Sequence, residues 1–184
     1  MRETVLPLDL EGYALRTYRD EDAETLARLA SNREVSRWLR DRFPHPYTLE
    51  DAREWIEHAR AEPESAPVTF AICGATGNLL GGIGLDPQVD VYRHSAEIGY
   101  WLGRPHWGRG VATMAVGAIC RYGFERLGLA RIHARVFAPN LASARVLEKA
   151  GFELEGRCRD AVCKNGQLLD ELVYGLVARR ESGG

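Results

Sequence analysis

Apolar and polar residues alternate over Gly12–Tyr18 (GYALRTY), the period of two that predicts a strand. A helical stretch from Glu21 to Ala30 follows, with Asp20 placed to cap it. Between Ser31 and Tyr47 (SNREVSRWLRDRFPHPY) the period breaks down. Charges, aromatics and two prolines mix there, predicting short helical pieces and loop of the kind that borders a site. Thr48 and Asp51 have the capping-box spacing, and Ala52, Trp55, Ile56 and Ala59 then recur at helical intervals as far as Arg60. Beyond the loop Ala61–Pro67, the strand-like runs VTFAICG, NLLGGIGLD and SAEIGYWLG are joined by turn residues that include Gly77 and Asn78. An antiparallel meander is expected.

Val111–Leu127 sets Val111, Met114, Ala115, Ala118, Ile119 and Tyr122 on one helical face, with Val116, Cys120 and Phe124 beside it. So little of its circumference is polar that the helix must be buried. RIHARVF then reads as a strand, Leu141–Ala150 as a helix that Gly151 ends, Phe152–Val162 as a strand, KNGQ as a turn and LLDELVYGLVA as a last strand. The order is β-α-α-β-β-β-α-β-α-β-β, an α+β arrangement of about seven strands and about four helices. RRESGG, residues 179–184, reads as a frayed tail.

A chain of 184 residues is long enough for one proper core, and a single domain over residues 1–184 is expected. The hydrophobic share of 45%, the charged share of 27% and the net charge of -2 fit a soluble globular protein without the basic excess that nucleic acid requires. MRETVLPLDL does not read as a targeting segment, and no apolar run approaches the ~20 residues that span a bilayer. A cytoplasmic protein with neither a membrane nor a nucleic-acid partner is expected. Cys73, Cys120, Cys158 and Cys163 lack zinc-site spacing, and His45, His58, His94, His106 and His133 are dispersed, so reduced thiols and no metal are expected.

WGRGVATMAV places Gly108 and Gly110 just before the buried helix. A helix start exposes about four unpaired N–H groups and roughly half a positive charge, so an anion can dock where no Cβ obstructs the backbone. Arg104 and Arg109 add charge around a candidate diphosphate cradle. Glycines are also common in any strand-to-helix turn. Neither a Walker loop nor a dinucleotide fingerprint is present.

AEIGYWLGRPHWGRGVATMAV and NLASARVLEKAGF, with PYTLEDAREWI before them and GFELEGRCRDAVCKNGQLLDELVYGL after, resemble the GNAT superfamily of N-acetyltransferases and its RimJ/RimL-like branch. The resemblance implies a central, mixed, mostly antiparallel twisted sheet and acetyl-CoA as cosubstrate. Its pyrophosphate would be held by backbone amides of Trp107, Gly108, Arg109, Gly110, Val111 and Ala112. Its pantetheine would pair with Tyr100, Trp101 and Leu102 on a strand that is bulged and splays from its neighbour. Pro105 stands where the superfamily has Gln or Arg, leaving Arg104 as the substitute.

Acyl transfer needs a neutral amine, a positioned thioester and a proton for the departing thiolate. Glu97, in the EIGYW stretch, is the expected base, since a partly buried carboxylate suits that work. The alternative is an ordinary outward strand glutamate. Relatives in the branch place a base ten residues beyond the Gly-Phe junction, where this chain has Val162, with Asp160 a distant second. Ser143 matches the branch's N-x-x-S serine and would donate to the thiolate. The tyrosine that other GNAT enzymes use is replaced by Leu147. Asn140 is a helix cap and, by resemblance, a coenzyme A contact. Trp38, Phe43 and Tyr47 either line the acceptor groove or close the first helices on the sheet, and Arg37, Arg40 and Arg42 read as a solvated face.

An α-amine, of pKa about 7.7–8.0, costs roughly 1 kcal/mol to neutralise at pH 7, and a lysine about 4.6 kcal/mol. With one base in view, a protein N-terminal α-amine is the expected acceptor, as the branch also implies. A small amine such as an antibiotic, polyamine or amino-acid-like metabolite is the alternative, and a non-catalytic acyl-CoA-binding module is the reading outside enzymes. A homodimer through the strand-rich C-terminal part is compatible with the resemblance.

Overall fold

The computed structural model describes residues 5–60 and 68–178, so the expected loop at 61–67 and tail at 179–184 lie outside the described residues. Its strands are β1 (Val5–Pro7), β2 (Ala14–Arg16), β3 (Val68–Cys73), β4 (Leu79–Pro87), β5 (Ser95–Leu102), β6 (Arg131–Phe137), β7 (Glu153–Lys164) and β8 (Gln167–Val177). The helices are α1 (Ala23–Ala30), α2 (Arg33–Ser36), α3 (Leu49–Arg60), α4 (Val111–Arg126) and α5 (Leu141–Lys149). One sheet of eight strands results, in the order β1-β2-β3-β4-β5-β6-β8-β7. Every neighbouring pair is antiparallel except β5–β6. The meander β3–β4–β5 and the α+β class are as expected. The strand beyond the expected seven is β1, three residues paired with β2, too short to display a period.

Alternation puts Phe70 and Ile72 of β3 on one face of the sheet, in a core with α4 and α5. Ala71 and Cys73 lie on the other, with α1 and α3. Val111, Val116 and Ile119 of α4 are fully buried, each contributing about 1.5–3 kcal/mol.

The start of α1 corrects an expectation. Asp22, not Asp20, accepts the Arg19 backbone N–H at 2.8 Å. Asp22 is fixed there by Arg16 of β2, which donates two hydrogen bonds of 2.7 Å to its carboxylate and one of 3.0 Å to the Gly77 carbonyl. Asp20 turns outward to Arg60 at 2.6 Å. At α3 the capping box forms as read: Thr48 Oγ1 accepts from Asp51 N at 3.1 Å, and Asp51 Oδ2 accepts from Thr48 N at 2.7 Å.

Candidate active site

β5 and β6 pair only over Ser95–Glu97 with Arg131–His133. From there β5 stays with β4 as far as Leu102, while β6 stays with β8 as far as Phe137. The sheet therefore divides, and Ile98–Leu102 turn one backbone edge into the gap. The register between β4 and β5 is continuous, which corrects the expected bulge: divergence of two sub-sheets opens the notch without one. α4 follows β5 and α5 follows β6, so both helix N-termini arrive at the carboxyl ends of the parallel pair β5–β6, where such folds form crevices. The cleft holds about 1010 Å³ and borders both faces of the sheet.

On the helical side, Gly108 and Gly110 have φ of 74° and 76°, the left-handed region that glycine enters without strain. Gly110 caps α4 without a side-chain hydrogen bond, leaving the first N–H groups of that helix to the cleft. A Cβ at Gly108 would meet nothing within 4 Å, and one at Gly110 only Met114 Cε at 3.9 Å. Open space over bare, uncapped amides fits a diphosphate. Trp107, Arg109, Val111 and Ala112 border the same cleft, and the Trp107 indole donates to the Leu102 carbonyl at 2.8 Å. Arg104 is exposed and outside the lining, whereas Arg145 and Lys149 of α5 are within it. Sequence reasoning passed over these two. Their i,i+4 spacing on the helix after Asn140 was the available signal.

Asn140 caps α5, its Oδ1 accepting from Ser143 N at 3.2 Å, an interaction worth about 1 kcal/mol. Ser143 Oγ lies 2.7 Å from the Tyr100 hydroxyl. Leu147, where a tyrosine was sought, is fully buried. The phenol that meets Ser143 comes from Tyr100 of β5. Burial pushes its pKa up to about 12, its hydrogen bond with Ser143 acting the other way.

On the opposite face, Glu97, Gly99 and Trp101 alternate with Ile98 and Tyr100 and also border the cleft. Glu97 is largely buried and ion-paired with Arg40, from the segment between α2 and α3. Arg37, Arg40 and Arg42 are exposed, as read; what the solvated reading left out is that Arg40 and Arg42 also line the cleft, whereas Arg37 stacks on Trp38 at 4.5 Å. Phe43 packs 4.9 Å from Tyr47 and 5.6 Å from Trp101, ring centre to ring centre; Phe43 and Tyr47 help close α1 and α3 on the sheet, and with Trp38 they line the cleft. His133 lies in register with Glu97 but outside the lining. Its imidazole is pushed below its ordinary pKa by burial, with Glu97 opposing and Arg131 and Arg135 assisting. Asp160 is exposed on β7, its N–H donating to Asp170 at 2.9 Å, and stands outside the cleft lining.

Among the described residues no group of three or more His, Cys, Asp or Glu side chains is placed to hold a metal ion, and no helix is long and apolar enough to cross a membrane.

The acetyltransferase (GNAT) domain family matches residues 13–153. The uncharacterized N-acetyltransferase YoaA of Bacillus subtilis is 36% identical over 176 residues, covering 95% of this chain and 98% of the relative. The putative ribosomal N-acetyltransferase YdaF of the same organism is 31% identical over 183 residues, covering 94% and 95%. RimJ of Mycobacterium smegmatis, solved in complex with CoA-disulfide, shares the fold with a TM-score of 0.83 at 24% identity, over 96% of this chain and 87% of that one. A divided sheet with a bare helix mouth at the division, and a family match over most of its length, place this chain among the GNAT acetyl-CoA-dependent N-acetyltransferases, in the RimJ/RimL-like branch.

Proposed function

We propose that the enzyme acetylates the α-amine of a protein N-terminus, with acetyl-CoA and acceptor bound together on opposite faces of the notch. The observation that carries this reading is Glu97. It is the single carboxylate on β5, the strand that edges the notch, and it is already engaged by Arg40. A site so equipped suits an amine that costs about 1 kcal/mol to neutralise rather than about 4.6 kcal/mol. The resemblance to YdaF, named a putative ribosomal N-acetyltransferase, supports the same reading.

Bound in the notch, acetyl-CoA supplies an acyl carbon activated as a thioester. The Trp107 N–H is given to the Arg104 carbonyl at 3.2 Å, so the amides of Gly108–Ala112, with Arg109, Arg145 and Lys149, hold the phosphates, Asn140 fixes the neighbouring helix start, and the edge of Tyr100–Leu102 that β6 leaves uncovered pairs with the pantetheine arm. Glu97 takes the amine proton, directly or through water, and Ser143 donates a hydrogen bond to the departing thiolate. Trp38, Phe43 and Tyr47 flank the acceptor.

Rates on a panel of N-terminal peptides, a lysine-containing peptide blocked at its N-terminus, and small amines test the acceptor class. Peptide α-amines should give the highest kcat/KM. A higher value for any small amine assigns the enzyme to small molecules, and no turnover at all makes it a binding module. Gly99 supplies a second test. A Cβ there would meet nothing within 4 Å, beside Glu97 in the cleft. Gly99→Val should raise the acceptor KM about tenfold by filling that space, a cost near 1.4 kcal/mol, and leave acetyl-CoA affinity unchanged. A parallel loss of both puts the acceptor elsewhere.

A further inference from the structure

The hydroxyl of Tyr100 is 2.7 Å from Ser143 Oγ and 3.2 Å from the Ser143 carbonyl. A phenol has one proton, and these two oxygens compete for it. Ser143 sits inside α5, where its carbonyl belongs to the i→i+4 ladder and already has a donor. The nearer and less engaged acceptor is Oγ. Were the phenol to donate to the carbonyl, the seryl proton would turn back onto the tyrosine oxygen and be lost to the notch. With the phenol donating to Oγ, the seryl proton is released toward the notch.

We propose that Tyr100 is a positioning residue for acyl transfer: its hydroxyl donates to Ser143 Oγ and so aims the seryl proton at the thioester sulfur. The inference rests on the reading of Ser143 as the donor to the thiolate. No proton leaves the tyrosine. When the carbon–sulfur bond breaks, the sulfur keeps the electron pair and the Ser143 hydroxyl stabilises it by a hydrogen bond. The proton that the sulfur finally gains balances, through solvent, the one the amine nitrogen loses on forming the amide. The phenol suits this part because burial raises its pKa, which keeps it a donor across the working range. Its ring is fixed by the core that α5 and β5 share, so the aim of Ser143 is built into the fold.

The test compares Tyr100→Phe, Ser143→Ala and the double variant with the parent enzyme, using acetyl-CoA and the best acceptor of the panel. Affinity for acetyl-CoA is read by calorimetry and folding by the thermal midpoint. Tyr100→Phe should lower kcat about tenfold, the worth of one oriented hydrogen bond, with the dissociation constant and KM for acetyl-CoA within about twofold of the parent. Ser143→Ala should lose at least as much, and the double variant no more than Ser143→Ala alone, because a residue acting through another contributes nothing once that other is gone. Parental kcat in Tyr100→Phe beside a slow Ser143→Ala overturns the positioning role. So does a double variant whose losses multiply, or a Tyr100→Phe defect confined to acetyl-CoA affinity. A fully active Ser143→Ala removes the reading of Ser143 itself.

Discussion

Gly110→Val should weaken acetyl-CoA binding about 100-fold, a loss of roughly 2.7 kcal/mol, measured by calorimetry. Two independent costs converge on this position. Its φ of 76° is strained for any L-residue by roughly 1–2 kcal/mol, and more for a β-branched one. The new methyl groups would also enter the open space over the first amides of α4, where the phosphates are proposed to dock. A variant that relaxed its backbone to escape the strain would misalign the same N–H groups. Gly110→Ala should therefore fall between valine and parent, and the stabilisation that acetyl-CoA gives against heat should shrink in the same order. Unchanged affinity in the valine variant would place the diphosphate away from this helix mouth.

Glu97→Gln should reduce kcat/KM about 100-fold at pH 6, at the lower end of what a general base contributes. The sign of its pH dependence follows from the amine. Below the amine pKa, near 8 for an α-amine, most acceptor carries an extra proton that the enzyme must remove. Above it, the acceptor arrives neutral and needs the carboxylate least. The ratio of parent to variant rate should thus be largest at acid pH and fall toward one by about pH 9. Glutamine keeps the shape and one carbonyl oxygen for Arg40, so the local fold should persist. A ratio that stays constant over this range would strip Glu97 of its part in proton removal.

What the sequence disclosed were features whose cause is local. The bareness of Gly108 and Gly110, the Asn140 cap and the Thr48–Asp51 box each depend on a few consecutive residues, and the structure has them where they were read. Asp20 has the spacing of a cap, but the helical turn begins one residue earlier, at Arg19, whose N–H is taken by Asp22. Asp22 is held for that by Arg16, whose strand packs beside the helix start. Arg40 is an exposed charge as read, but its partner Glu97 is 57 residues away, and Tyr100 is 43 residues from Ser143. No periodicity carries such pairs. The bulge expected on β5 failed for a different reason: its neighbour leaves with β8, which opens the same gap by another route.

Arg40 and Asp41 are consecutive, yet one grips Glu97 on β5 and the other grips Lys164 on β7 at 2.6 Å. The segment that carries them meets the sheet through these two contacts and the rings of Phe43 and Tyr47, while the candidate phosphate cradle is assembled from a later stretch of chain. If the acceptor binds as proposed, much of its recognition comes from a piece of sequence separate from the acyl-donor cradle. Residues 31–47 would then amount to a cassette: exchanged for the corresponding piece of a relative, they would shift the preference for one amine over another while the acyl-donor machinery stays as it is.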